Sequence, residues 1–318
     1  MVLRNLLAAW LVLLTTAFAG GVATADENVS AYSVEELVAA ATEQLTSVES
    51  LDSRYSIQYG DSKAPVRCRY ARSGSMWNYT ELSTERGQEK EKTYCCDGSL
   101  IYAFYVIRQQ TGKDKWSIVE LQEPRAQGNL DPERLLGERL SNVSRSIVDV
   151  LKLPSLTKSE ETLPDGTIGI RLLARAVPRA IAGPKQLKYD VAVTLDPKHD
   201  LLPREILITE SGDNVTWPGW AHQWKILQYR QSLDERAHRQ RWFPVSAVLT
   251  QGTTKAPPPI KMTVDEVRIN PTLPLTLFRP NIPNGAGLIR LMRARCEVLG
   301  CGASTNCSEV GMLGKCYW

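Results

Sequence analysis

The sequence predicts an α+β fold, a large antiparallel sheet with helices against one face, and three observations lead there. The stretch Leu187–Gly212 alternates with a period of two: Tyr189, Val191, Val193 and Leu195 share one face and Lys188, Asp190, Ala192 and Thr194 the other. After the turn Asp196-Pro197-Lys198-His199-Asp200, a second arm places Ile206 and Ile208 opposite Glu205, Leu207 and Thr209, which reads as a long, half-buried hairpin in the middle of the sheet. Next, many short β-rich segments are separated by Gly and Asp turn signals, so neighbouring strands should meander and pair antiparallel. Finally, helical spacing is confined to two places, in the order helix, strands, helix, strands.

In chain order, Met1–Ala25 carries Arg4, an apolar run from Leu6 to Leu14 and the small residues Ala23-Thr24-Ala25 before Asp26. This reads as a cleaved secretory signal peptide, too short in its apolar run to span a bilayer, and no later segment is apolar enough to do so. The expected product is an exported chain, periplasmic or extracellular, of 318 − 25 = 293 residues. Its formal charge falls from +3 to +2 with the loss of Arg4, which gives no electrostatic footprint for nucleic acid. Ser33-Val34-Glu35-Glu36 is a capping box, and Leu37, Val38, Ala41, Leu45 and Val48 follow at helical spacing, predicting a helix over 33–48.

Strands are expected at 51–59, 65–72, 75–82, 92–96, 100–108 and 116–122, with Asp97-Gly98 the strongest hairpin signal. Asp131-Pro132-Glu133 then reads as a helix start. The stripe Leu136, Leu140, Val143, Ile147 and Leu151 extends that helix to Pro154, although Gly137 and Asn142 weaken it locally. Strands resume at 156–163 and 167–174 across Pro164-Asp165-Gly166, then run through the hairpin and on to 223–231, 241–251 and 260–270.

Seven cysteines in an exported chain predict disulfides. Cys296, Cys301, Cys307 and Cys316 can form two bridges in any of three connectivities. Cys68, Cys95 and Cys96 leave one thiol over, and a bridge from Cys68 to Cys95 or Cys96 would join two strands. The sequence carries no catalytic, cofactor-binding or metal-binding signature: no G-x-S-x-G, no H-E-x-x-H and no phosphate loop. Of the three histidines, His199 is expected as a solvated turn residue beside Asp200, while His222 and His238 flank strands. Trp217-Pro218-Gly219-Trp220 places two indoles at a tight turn. They either touch a membrane interface or partner, or fold back over the sheet.

With these elements placed, the chain resembles the LolA-like superfamily of periplasmic lipoprotein carriers and related lipid-binding proteins. The likeness rests on the capped helix running into Leu51-Asp52-Ser53-Arg54-Tyr55-Ser56-Ile57 and on the hairpin around Leu195-Asp196-Pro197. It also rests on Val264-Asp265-Glu266-Val267-Arg268-Ile269-Asn270 with Leu273-Pro274 and Phe278-Arg279-Pro280. The resemblance implies a strongly curved, incomplete β-barrel over 26–289, with covering helices and an apolar interior for acyl chains. A cysteine-containing tail follows over 290–318, and that tail and the Pro257-Pro258-Pro259 loop depart from the usual carrier. The expected function is a non-enzymatic carrier of lipid or of an acylated protein, with no cofactor. The alternative on the same fold is an envelope protein-interaction or sensory module of the anti-sigma-factor-binding type.

Overall fold

The computed structural model describes residues 32–62, 64–85, 88–99, 101–107, 115–121, 130–140, 143, 145–179, 187–211, 219–252, 257–279 and 287–290. The expected signal segment, Trp217 and the four tail cysteines therefore lie outside the described residues. Helix α1 (Val34–Thr46) begins where the capping box places it: Glu36 N–H donates to Ser33 Oγ at 3.1 Å and Ser33 N–H to the Glu36 carboxylate at 2.7 Å. Its Leu37 and Ala41, with Val48 just beyond its end, are buried in the hydrophobic core.

The described strands form one sheet in two meanders. The first comprises β1 (Ser50–Tyr59), β2 (Val66–Ser73), β3 (Met76–Glu85), β4 (Gln88–Cys96), β5 (Ile101–Ile107) and β6 (Lys115–Leu121). The second comprises β7 (Leu156–Thr162), β8 (Ile168–Pro178), β9 (Lys188–Asp196), β10 (Leu202–Ser211), β11 (Ala221–Asp234), β12 (Arg239–Gly252) and β13 (Ile260–Ile269). Antiparallel pairing of β1 with β13, from Leu51↔Ile269 to Tyr59↔Ile260, joins them. A last strand, β14 (Gly287–Arg290), lies parallel to β6 at one edge and spans the position where the sequence places the start of the tail. At the other edge, β7 carries Lys158, Glu160 and Glu161, charges that discourage pairing with another chain.

This topology corrects the placement of the β9–β10 hairpin. β1 and β13 hold the centre of the sheet, and β9 and β10 lie towards the β7 edge. Nor is β9 half-buried, because Ala192 and Thr194 on its second face are covered as completely as Val191 and Val193 on the first. The predicted helix 131–154 is corrected as well. Pro132–Leu136 forms a 3-10 turn, Gly137 takes φ +81°, and only Ile147–Leu151 (α2) is α-helical. A Cβ at Gly137 would come within 3.1 Å of Ile147, so this chain reversal depends on glycine. Leu136, Leu140, Val143, Ile147 and Leu151 are nonetheless all buried. The apolar spacing reported burial correctly, and the backbone satisfied it without a continuous helix.

The 3-10 turn also reveals the curl of the sheet. It touches β10 and β12, while Glu133 within it bonds Tyr70 and Arg72 of β2. β2 and β10 are five strand steps apart, which in a flat sheet would be about 24 Å, more than twice the roughly 10 Å length of such a turn. Curling brings both strands to it. The inner face continues across the junction of the meanders in the row Ile226, Ala247, Met262 and Ile57, all buried and in register from β11 to β1.

At one end of the junction a polar knot ties α1, β1, β11 and β13 together. Asn270, with φ +53°, accepts from Glu49 N–H (2.7 Å) and Ser50 N–H (3.2 Å), and donates to Ser47 O (2.7 Å) and Asp234 Oδ2 (3.1 Å). Asp234 also accepts from buried Arg241, which in turn reaches Gln44 on α1 at 2.9 Å. Asn270→Ala is expected to destabilise the protein by about 2–4 kcal/mol in urea titration, because it removes these bonds and strains a left-handed position. Asn270→Gly, which relieves the strain alone, should recover only part of the loss.

Candidate ligand-binding face

Alternation along each strand puts one set of side chains on the inner face, where two groups of aromatics stand out. On β9 and β11, Tyr189, Trp220, His222 and Trp224 form a row with successive ring centroids 6.3, 6.3 and 6.4 Å apart. Tyr189, His222 and Trp224 are buried, whereas Trp220, just before β11, is half-exposed and packs against the core. Of the two indoles in the predicted turn, Trp220 thus folds back over the sheet. On β1–β4 the second group contains Tyr55, Tyr70, Tyr79 and Tyr94, with Tyr79 and Tyr94 stacked at 6.4 Å. Cys68 lies among them, its Sγ 3.7 Å from the Tyr79 hydroxyl.

The segment ahead of α2 covers this face and brings an acidic group with it. The Tyr70 hydroxyl donates to Glu133 at 2.7 Å, Arg72 forms an ion pair with the same carboxylate, and the Tyr55 hydroxyl donates to Leu130 O at 2.9 Å. Burial, reinforced by the Glu138 carboxylate and opposed by Arg72, pushes Glu133 up to about 8. Burial likewise raises the Tyr55, Tyr70 and Tyr79 hydroxyls and takes the Cys68 thiol up to about 12. Ionised oxygen and sulfur are thus disfavoured throughout this part of the face. It offers neutral hydroxyls, a poorly nucleophilic thiol and flat apolar rings, which suits apolar ligands better than bond-breaking chemistry.

His199 differs from the solvated residue expected. Its ring lies flat on Tyr229 (4.3 Å) and edge-on to Trp242 (4.7 Å), and Nδ1 pairs with Asp196 Oδ2 at 2.8 Å. Asp196 also caps the Lys198 N–H, so the pair locks the β9–β10 turn. His222 lies inside β11 and Trp220 just ahead of it, while His238 sits in the β11–β12 turn with φ +51°. Sequence reasoning missed Glu133, which reads as a helix-start acid, and placed His222 outside a strand. The period of two through His222, Trp224 and Ile226 was the signal for its inward face. Elsewhere, a groove of about 360 Å³ is lined by Glu49, Ser50, Glu235, Arg236, Asn270, Pro271 and Thr272. Its polar lining, with the Arg236–Glu49 pair across it, does not suit an apolar ligand.

The expected bridge from Cys68 to Cys95 or Cys96 is corrected, because all three carry free, buried thiols. β3 separates β2 from β4, so two strand spacings of about 9.6 Å divide the cysteines, beyond the roughly 7 Å that a bridge tolerates. The registers Cys68↔Glu81 and Asn78↔Cys95 also put Cys95 on the opposite face from Cys68.

No protein-family model matches the chain, and no curated protein does. Among solved structures it is similar to a DUF1329 family protein from Desulfovibrio piger, with 11% identity, TM-score 0.39, and coverage of 77% of this chain and 97% of that one. A Vibrio parahaemolyticus domain named for outer membrane lipoprotein sorting aligns at 11% identity and TM-score 0.36, covering 77% of this chain and 97% of the other. A conserved protein from Thermus thermophilus aligns at 11% identity and TM-score 0.31, covering 81% and 99%.

Two outcomes test this description. Glu133 titrates at about 8 when folded against 4.5 in its ordinary state. The native state therefore binds the extra proton between these values, and stability should fall as pH rises from about 4.5 through 8. Glu133→Gln should flatten that slope in thermal melts taken from acid to mildly alkaline pH. Alkylation without reductant should leave Cys68 and Cys95 unmodified in the native protein and modify both in urea, read by peptide mass spectrometry.

Proposed function

We propose that this protein is an exported, non-enzymatic binder of lipid or of the acyl chain of a lipoprotein, built as a LolA-like incomplete barrel. The observation that carries the reading is the row Tyr189–Trp220–His222–Trp224 on the inner face, with half-exposed Trp220 between Tyr189 and His222. Flat apolar rings on a curled sheet suit a flexible hydrocarbon. Each methylene withdrawn from water contributes about 0.8 kcal/mol, so a chain of a dozen carbons is held without a covalent bond. The buried hydroxyls and thiol of β1–β4 add no charge that such a chain would have to desolvate.

Native mass spectrometry of protein exported into a bacterial periplasm is the direct test. A discrete added mass that disappears on lipid extraction is expected, together with uptake of a fluorescent fatty acid by the stripped protein. Trp220→Ala should weaken that uptake about tenfold, in line with removal of a large apolar contact surface. A clean apo mass with no uptake would reject the carrier and turn attention to the envelope-interaction module.

A further inference from the structure

Among the described residues, a buried ring nitrogen on the inner face lacks a hydrogen-bond partner. His222 lies between the Trp220 and Trp224 rings and opposite Ile208 of β10, is 5% exposed, and its Nε2 makes no hydrogen bond. Leaving such a nitrogen dry and unpaired is unfavourable, because its hydration is lost and nothing replaces it. Packing gives no return for that cost, because phenylalanine would fill the space between the two indoles without it. Burial and the neighbouring positive charge of Arg134 press the imidazole down to about 4, so the ring stays neutral at ordinary pH, with one N–H to donate. Arg134 belongs to the segment that covers the inner face, is itself largely buried, and has Asp131 at 3.5 Å. Its field favours an electron-rich oxygen beside the ring and disfavours a cation.

We propose that His222 is the polar anchor of the ligand face, its Nε2–H donating to the carbonyl-bearing end of an acyl ligand while Trp220 and Trp224 flank the first methylenes. This rests on the acyl-binding reading above and deepens it by fixing which end of the chain lies where. A row of indoles alone would bind hydrocarbon in any orientation; a single buried donor among them selects the chain that carries an oxygen. The acyl oxygen replaces the water that the nitrogen lost on folding, so the desolvation cost is recovered only when the ligand is bound. A free fatty acid and an ester-linked acyl group share this oxygen.

The test uses the full mature protein and three fluorescent probes: cis-parinaric acid, its methyl ester, and diphenylhexatriene, an apolar molecule with no oxygen. His222→Phe keeps a flat ring between the indoles and removes the nitrogens. Its Kd for the acid, the ester or both should rise about tenfold, the scale of one lost hydrogen bond, with diphenylhexatriene unchanged. Weakening for the acid alone identifies a carboxylate as the group recognised, and weakening for both identifies the acyl carbonyl. Equal weakening for all three probes, or no change for either oxygen-bearing probe, overturns the anchor and leaves the carrier standing. If the wild-type protein takes up none of the three, the carrier reading falls and the anchor with it. Should the variant not fold, NMR of the wild-type histidine rings decides. The His222 Cε1 resonance should move on addition of parinaric acid and stay put with diphenylhexatriene, and a resonance unmoved by the acid refutes the proposal.

Discussion

Everything in this molecule depends on β1 pairing with β13. Each meander is assembled from neighbours in sequence, so its strands find one another across short turns. The two meanders become one sheet only when Leu51–Tyr59 meets Ile260–Ile269, across more than two hundred residues. Closing so long a loop is entropically unfavourable, and local turn chemistry does nothing to offset it. The compensation comes from what the junction buries: the row Ile226, Ala247, Met262 and Ile57 in the core, and the hydrogen bonds that converge on Asn270 at its end. Asn270 performs two tasks there, turning the chain through a left-handed residue and satisfying backbone groups where α1 meets β1.

The curl that follows from this closure creates the inner face. Because strands five steps apart reach the same short 3-10 turn, the segment 130–151 can act as an inner layer that reads both meanders at once. Its Glu133 engages the first meander through Tyr70 and Arg72 of β2, an arrangement that specifies where the layer docks more than it stabilises the fold. A buried carboxylate beside arginine gives back most of its Coulombic gain in desolvation. The same layer brings Arg134 to His222. The polar groups over the face thus come from one connector, while the apolar and aromatic surface comes from the strands.

Much of this architecture was legible in the residues. Ser33 and Glu36 marked the start of α1, Asp97-Gly98 and Pro164-Asp165-Gly166 marked turns, and alternation located the strands to within a few residues. Those features are local, and their physics is complete within a few neighbouring residues. The candidate site was less legible. Trp220 was left either at a membrane or partner surface or folded back over the sheet and packs on Tyr189, His199 was placed in solvent but lies between Tyr229 and Trp242, and Cys68 was assigned a bridge its register forbids. In each case the partner is distant in sequence.

The residues alone were enough for the type and order of most elements, the broken helix over 131–154 and the strand β14 excepted, because caps, turns and period-two alternation are set by backbone stereochemistry and local side chains. They also determined that the stripe from Leu136 to Leu151 would be buried, since apolar spacing reports a face even where the backbone is irregular. That the two meanders meet through β1 and β13 emerges from the folded chain as a whole. The same holds for the β9–β10 hairpin towards an edge and for His222 between two indoles and beside Arg134. Those outcomes depend on long-range register and curl, which are selected by the burial of the whole inner face and by no segment of the chain alone.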